Sequence, residues 1–351
     1  MKSIHDHSWA KKSALGNRVA NSFCEKFSSL RVTIIPLLVA FALACFGKAA
    51  DAQKVYSVGS LNTADQFISA FEGFRDRMAE LGYREKHNVR YQYYNARGNS
   101  ELLATLSQKM VQDRVDLIVT SSTSATVAAA KASEKNRIPV LFLSAGNPEM
   151  LVKSYAGSGS NLAGISSAST ELVQKRFELL KELAPATKRL TVLHYPGGVN
   201  YKANIAETRE AAARLRLKLS EINVMSVGEI EKAMHGINRS AADAIFMPPE
   251  SLLTEGIDNI VKQAIKEKMP LITSLLGNVK RGCLATYAAN YRALGKQAGS
   301  LADKILRGTN PGSLPIEMPD RVNLVINLNT AKAIDLNIPK ELLLRADEVF
   351  E

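Results

Sequence analysis

From residue 53 onward the chain alternates between short apolar runs and longer stretches in which apolar residues recur every three or four positions. Runs at 54–60, 89–94, 115–120 and 139–144 read as strands. The third, Val115-Asp-Leu-Ile-Val-Thr120, is nearly continuous, as in strands buried on both faces of a parallel sheet. Phe67, Ala70, Phe71, Phe74, Met78 and Leu81 share one face of a helix that Gly82 ends. Residues 101–112 and 124–136 read as two further helices. A turn-forming break follows at Gly146-Asn147-Pro148 and through 155–161. The alternation then restarts, with helices over 172–183, 202–215, 230–237, 257–267 and 292–306. Strands are expected at 190–194, 218–224, 244–247, 271–273, 284–287 and 324–327, with two short helical segments at the C-terminus. Strand and helix alternating in this way predict an α/β fold of two doubly wound, parallel-sheet (Rossmann-like) halves.

The first 52 residues have a different character. An apolar run at 32–46 follows Lys26 and Arg31 and precedes Ala50-Asp51-Ala52. At about 15 residues it is short for a membrane span, which takes about 20. Basic region, apolar core and small-x-small site together describe an export signal peptide, residues 1–52, cleaved after Ala52, and hence a periplasmic protein. An uncleaved N-terminal anchor helix and lipid attachment at Cys45 are the alternatives. Cys24 and Cys45 leave with the leader, so Cys283 alone remains and no disulfide forms within the mature chain. Its position reads as a buried strand.

Charge excludes one class of partner. The formal net charge is +11, but residues 1–52 carry seven Lys/Arg against three Asp/Glu. The remaining surplus is spread thinly, without the concentrated basic patch of a nucleic-acid footprint. No nucleic acid is expected.

Ligands of open α/β sheets bind beyond the carboxyl ends of the strands, where loops enter helices. In the first half those loops are 60–66, with Asn62 and Gln66; 121–124, with Ser121, Ser122 and Thr123; and 144–147, with Ser144 and Asn147. In the second half they hold Tyr195, Glu250 and Tyr287. Hydroxyls and backbone N–H groups at the start of the helix after Ser122 suit a carboxylate, though Ser and Thr also serve as ordinary N-caps. Glu250 would pair with a ligand ammonium, or stand as a solvated first-turn residue. Tyr287 could stack on a ligand or hydrogen-bond it. His194 reads as structural.

Signals for catalysis are poor. The chain has no phosphate-binding G-x-x-x-x-G-K-[ST], no H-E-x-x-H and no G-x-S-x-G, and the Gly157–Gly164 region is not a dinucleotide fingerprint. His87, His194 and His235 show no metal spacing. No catalytic residues, no metal and no cofactor are expected.

Several segments carry a family resemblance. The C-terminal stretch Leu324-Val-Ile-Asn-Leu-Asn-Thr-Ala-Lys-Ala-Ile-Asp-Leu-Asn-Ile-Pro-Lys-Glu-Leu-Leu-Leu-Arg-Ala-Asp-Glu-Val resembles the ending of bacterial ABC-transporter substrate-binding proteins of the tryptophan/tyrosine type. Phe71-Glu-Gly-Phe with Leu81-Gly-Tyr83, Ile138-Pro-Val-Leu-Phe142 and Lys175-Arg-Phe-Glu-Leu-Leu-Lys-Glu-Leu-Ala-Pro185 agree with it. The resemblance covers residues 54–351. It departs from the family's pattern at the cleft loops: Asn147 stands where Gly-Asp-Pro is usual, Gly157-Ser-Gly-Ser-Asn161 replaces Arg-Pro-Gly-Gly-Asn, Ala288 follows Tyr287 where Gly is usual, and Pro248-Pro249 replaces Asp-Pro.

The resemblance implies a type I periplasmic binding protein: two lobes joined by a three-crossing hinge. Lobe 1 would comprise 53–162 plus about 289–312, and lobe 2 163–288 plus about 313–351. It implies capture of a small molecule, an amino acid or other small carboxylate, with delivery by a monomer to an ABC permease and its cytoplasmic ATPase. A ligand-presenting receptor for a membrane sensor and a secreted α/β enzyme are the competing readings. A DNA-binding repressor of the same fold is set aside, because an export signal occupies its helix-turn-helix position.

Overall fold

A computed structural model describes residues 54–351; the expected leader and its cleavage site lie outside the described residues. The first sheet holds β1 (Tyr56–Asn62), β2 (Val89–Asn95), β3 (Leu117–Ser121), β4 (Val140–Ala145) and β5 (Leu162–Ser166), in the order β2-β1-β3-β4-β5 and parallel throughout. Every residue of β3 and β4 is buried, which is why both read as continuous apolar runs. The helices of this part are α1 (Ile68–Glu80), α2 (Ser100–Gln112) and α3 (Thr123–Ser133).

The second sheet is built from β6 (Arg189–His194), β7 (Lys218–Asn223), β8 (Ala244–Met247), β9 (Leu271–Thr273), β10 (Ala285–Ala289), β11 (Val322–Asn327) and β12 (Glu348–Phe350). Its order is β12-β11-β10-β9-β8-β6-β7. The run β7-β6-β8-β9-β10 repeats the order of the first sheet, so the two halves share one topology. Only the β10–β11 pairing is antiparallel; β11 and β12 run parallel to each other. The helices are α4 (Val173–Leu183), α5 (Tyr201–Arg214), α6 (Val227–Gly236), α7 (Ser251–Glu255), α8 (Ile257–Lys266), α9 (Leu276–Lys280), α10 (Tyr291–Leu306), α11 (Leu328–Ala333) and α12 (Lys340–Arg345).

The chain passes between the sheets three times: after β5, between β10 and α10, and between α10 and β11. Helix α10 packs into the first lobe, its Leu294, Ala298, Leu301, Ala302 and Ile305 joining Phe71, Phe74 and Met78 of α1 in one core. Glycine permits the close approach. A Cβ on Gly295 would overlap the Ala70 carbonyl, and one on Gly73 would overlap the Arg292 carbonyl. Outside this seam Arg292 reaches Glu72 and Asp76 at 2.8 and 2.7 Å, and Lys296 reaches Glu80 at 3.3 Å.

Strand β5 is absent from the sequence-derived elements, and the lobe boundary expected at 162 falls on its first residue. Gly164 sits mid-strand at φ +159, with the Phe142 carbonyl and ring where a side chain would go. The tertiary neighbour, not local pattern, makes Leu162–Ser166 a strand. Cys283 is fully buried, as expected, but it lies two residues before β10 rather than in a strand; burial pushes its thiol up.

Candidate functional site

The carboxyl ends of both sheets face one cleft holding a cavity of about 730 Å³. Its walls come from lobe 1 (Asp65, Gln66, Arg97), from the crossings (Ser167, Ser169, Tyr291) and from lobe 2 (Glu255, Ser274, Arg281). Several of these charges are already committed. Asp65 accepts from Asn95 Nδ2 at 2.6 Å, and Arg281 donates to Asp258 and to the Thr254 carbonyl at 2.9 and 2.8 Å. The lobes meet across the cleft: a Cβ on Gly146 would lie 3.4 Å from Asn200 Nδ2, and one on Gly98 would lie 3.2 Å from Glu255 Oε1.

Beside the cavity runs a buried polar seam. Asn62, Ser121 and Ser144 lie side by side across β1, β3 and β4, as register partners. They are 0 %, 0 % and 2 % exposed, yet Asn62 Oδ1, Ser121 Oγ and Ser144 Oγ make no hydrogen bond. Register shifts at Thr120/Ser121 and Phe142/Ala145 re-aim these strand ends. Ser122 caps α3, its Oγ accepting from Ala125 N and from Thr63 Oγ1, each at 3.2 Å. Its φ of +93 is strained for a residue with a Cβ. Thr123 Oγ1 accepts from Gly146 N at 3.2 Å and so ties the β3 and β4 loops together.

Lobe 2 supplies the facing side. Glu250, at the N-terminal edge of α7, is 7 % exposed and accepts from Asn204 Nδ2 at 2.7 Å. Desolvation raises its pKa to about 7. Asn200, Asn204 and Thr208 recur every four residues along one face of α5, and Asn200 Oδ1, Asn204 Oδ1 and Thr208 Oγ1 are all buried without partners. Ser274 Oγ, after β9, is in the same condition. Buried polar atoms without partners are uncommon in folded proteins; several stand here at the carboxyl ends of the two sheets, while Tyr91 Oη in the lobe 1 core lies apart from them.

Of the ten residues singled out from sequence, Gln66 alone lines the open cavity. Asn62, Ser121, Ser122, Thr123 and Ser144 form the lobe 1 side of the seam, and Glu250 belongs to the lobe 2 side. Asn147 is half-buried before the turn at Pro148–Met150, and Tyr195 is half-buried against Gly197. Tyr287 does not line the cavity. It packs against the lobe 2 core, its OH accepts from Arg345 Nη2 at 3.0 Å, and the neighbouring Ala288 and Ala289 take the cavity wall. His194 is 1 % exposed, its Nε2 lies 3.3 Å from Glu221 Oε1, and burial lowers its pKa.

Sequence reasoning passed over Ser167, Ser169, Asn200, Asn204, Tyr291 and Arg176. One signal was available for Arg176. It lies three residues after Val173 and four before Leu180, on the apolar face of α4, and it is fully buried.

Two sheets of like topology, three crossings and a cleft at the strand carboxyl ends define a two-lobed solute-binding protein of the type I periplasmic class. The family model described as ABC transporter substrate binding protein matches residues 60–350, and the chain belongs to that family. It is 28 % identical over 286 residues, 81 % of each chain, to a tyrosine-binding protein of Clostridioides difficile. Among solved structures, the ABC domain in complex with L-Trp from Streptococcus pneumoniae superposes with a TM-score of 0.77 at 26 % identity, covering 85 % of this chain and 100 % of that one. A ligand-free, open substrate-binding protein with adhesive properties from Clostridium difficile gives 0.67 at the same identity, covering 84 % and 99 %. Gly146 beside Asn200 and Gly98 beside Glu255 bring the two lobe rims together, a closed arrangement.

Proposed function

We propose that this protein captures an amino acid, with aromatic amino acids the first class to test, between its lobes. It would present the closed complex outside the cytoplasm to an ABC permease driven by a cytoplasmic ATPase. The observation that carries this reading is the seam of unpartnered buried polar atoms drawn from both lobes. A bound ligand with an ammonium and a carboxylate supplies the missing partners. Glu250, with the Asn200 and Asn204 carbonyl oxygens, offers acceptors to the ammonium. The start of α3, with Ser121 and Ser144, offers hydroxyls and helix N–H groups to the carboxylate. The side chain then extends into the 730 Å³ cavity. The ligand leaves unchanged, and the lobes move as bodies about the three crossings.

The test is thermal unfolding of the purified protein, unfolded and refolded to strip carried-over ligand, against L-tryptophan, L-tyrosine, other amino acids, their amides and small carboxylates. A ligand at about 100 times its Kd stabilises by about 2.7 kcal/mol, a clear rise in Tm. Stabilisation by amino acids and not by their des-amino analogues supports the reading. Absence of any shift across the panel rejects the amino-acid class.

A further inference from the structure

Arg176 is the one charged side chain among the largest fully buried ones, and no carboxylate among the described residues forms an ion pair with it. Its Nη1 donates to the Ser169 carbonyl at 2.6 Å and its Nε to the Tyr287 carbonyl at 2.8 Å. Its Nη2 makes no hydrogen bond. Desolvation lowers the pKa of the guanidinium to about 9; the titratable groups whose charges act on it are Tyr291, whose burial raises its own pKa, and Glu171, which bonds Tyr155. Burying an unneutralised cation is among the most costly things a fold can do. Two carbonyl dipoles offset part of that cost and leave a donor unused.

The position of this charge gives it a use. The carbonyls it holds belong to the first crossing and to the middle of β10, the strand that leads into the second. Ser169 and its hydrogen-bonded neighbour Ser167 (2.8 Å between hydroxyls) line the cavity, as does Tyr291. From there the network runs to the start of α3: Thr170 Oγ1 donates to the Gly146 carbonyl at 2.9 Å, and Gly146 N donates to Thr123 Oγ1 at 3.2 Å. The buried cation is thus tied to the N-terminal end of α3 through the Ser169–Thr170 backbone and Gly146, beside the Gly146–Asn200 contact.

We infer that Arg176 is a specificity-determining residue, a fixed cation beneath the cleft floor that makes the site demand an anionic group, a carboxylate, from its ligand. This rests on the binding reading above and adds to it a residue and a charge requirement. Arg176 acts through the field of its charge and through the Ser169 backbone it positions. In a dry site such a field discriminates a carboxylate from the neutral amide of the same shape far better than it would in water.

The experiment compares the Kd of L-tryptophan and L-tyrosine with those of tryptophanamide and tyrosinamide, by calorimetry, for wild type, R176K and R176Q. Wild type should prefer acid over amide by about tenfold or more. R176K, which keeps the charge, should retain most of that preference. R176Q should reduce it to within about threefold while leaving the amide Kd nearly unchanged. An R176Q protein with the wild-type acid-to-amide ratio overturns the inference and leaves Arg176 as a pin for the crossings. Wild type binding the amides as well as the acids also overturns it, with the binding reading intact.

If R176Q does not fold, or no amino acid binds, ligand-stripped wild type decides alone. Its Tm should rise saturably with sodium acetate beyond a sodium chloride control and show no such rise with acetamide. A flat acetate titration overturns the inference. Failure of every amino acid alongside a saturable acetate response rejects the amino-acid class and supports the anion requirement.

Discussion

Glu250→Gln isolates one charge without changing shape. The Gln carbonyl oxygen can still accept from Asn204 Nδ2, so the 2.7 Å hydrogen bond survives. Burial raises the Glu250 pKa from 4.5 to about 7 in the folded, ligand-free protein. Between those values the folded state holds a proton that the unfolded state has released. Stability therefore falls as pH rises from about 4.5 to about 7 and levels off above the folded pKa. At about 1.4 kcal/mol per unit, the difference amounts to about 3 kcal/mol. Urea unfolding of wild type and variant at intervals from pH 4.5 to 8 reads it directly. The variant should match wild type at the acid end and exceed it by about 3 kcal/mol near pH 8. Ligand sharpens the test, because an ammonium seated against Glu250 favours the carboxylate. Binding near pH 6 should release close to one proton in wild type and none in the variant, measured by calorimetry in buffers of different ionisation enthalpy. A stability difference that stays flat across this range refutes the burial argument. Absence of proton release refutes the ammonium assignment.

Gly295→Ala should lower stability by about 1–3 kcal/mol or more, because its Cβ would overlap the Ala70 carbonyl between α1 and α10. Gly236→Ala, with no atom within 4 Å of the new Cβ, is the matched control and should be near neutral in the same urea titration. Asp243 accepts from the backbone N–H groups of Lys188 and Arg189 and from the Arg189 guanidinium, and these bonds hold its pKa near 2. A depressed carboxylate pKa adds stability above pH 4 that is lost as pH falls towards 2. Asp243→Asn should therefore cost about 2 kcal/mol at neutral pH and little at pH 2, read by chemical denaturation.

The strands of parallel pairs were legible because burial on both faces leaves an unbroken apolar run, as in β3, β4 and β8. The loops at their carboxyl ends followed from topology alone, which is why Asn62, Ser121, Ser144 and Glu250 could be named. What eluded sequence depends on neighbours distant in the chain. Gly164 weakens β5 as a local signal but is required there by Phe142. Tyr287 has an aromatic's credentials for binding, yet Arg345 and the lobe 2 core claim it. Asn200 and Asn204 carry no local signal: it is α5 packing that sets Asn204 against Glu250 and Asn200 beside Gly146. Arg176 was hidden because an Arg in a Lys-Arg-Phe-Glu run reads as solvated; only its phase with Val173 and Leu180 betrays it.

The unpartnered atoms also bear on how the lobes move. Asn62, Ser121, Ser144, Asn200, Asn204 and Ser274 each hold a buried polar atom without a protein partner in the closed arrangement. Each such atom costs about 1–3 kcal/mol relative to one that water can reach. If opening rehydrates only two of them, closure without ligand is disfavoured by about 2–6 kcal/mol before any gain from contact between the rims. The few lobe-to-lobe contacts near Gly98 and Gly146 offer little against that sum. The ligand-free protein in solution should therefore be mainly open, and a ligand that supplies the missing partners should close it, its differential affinity setting the size of the shift. Small-angle scattering of ligand-stripped protein should give a radius of gyration above that calculated from the closed structure, falling to it on saturation. A ligand-free radius already equal to the closed value would mean that these atoms are satisfied without ligand, and the seam would lose its claim as the binding site.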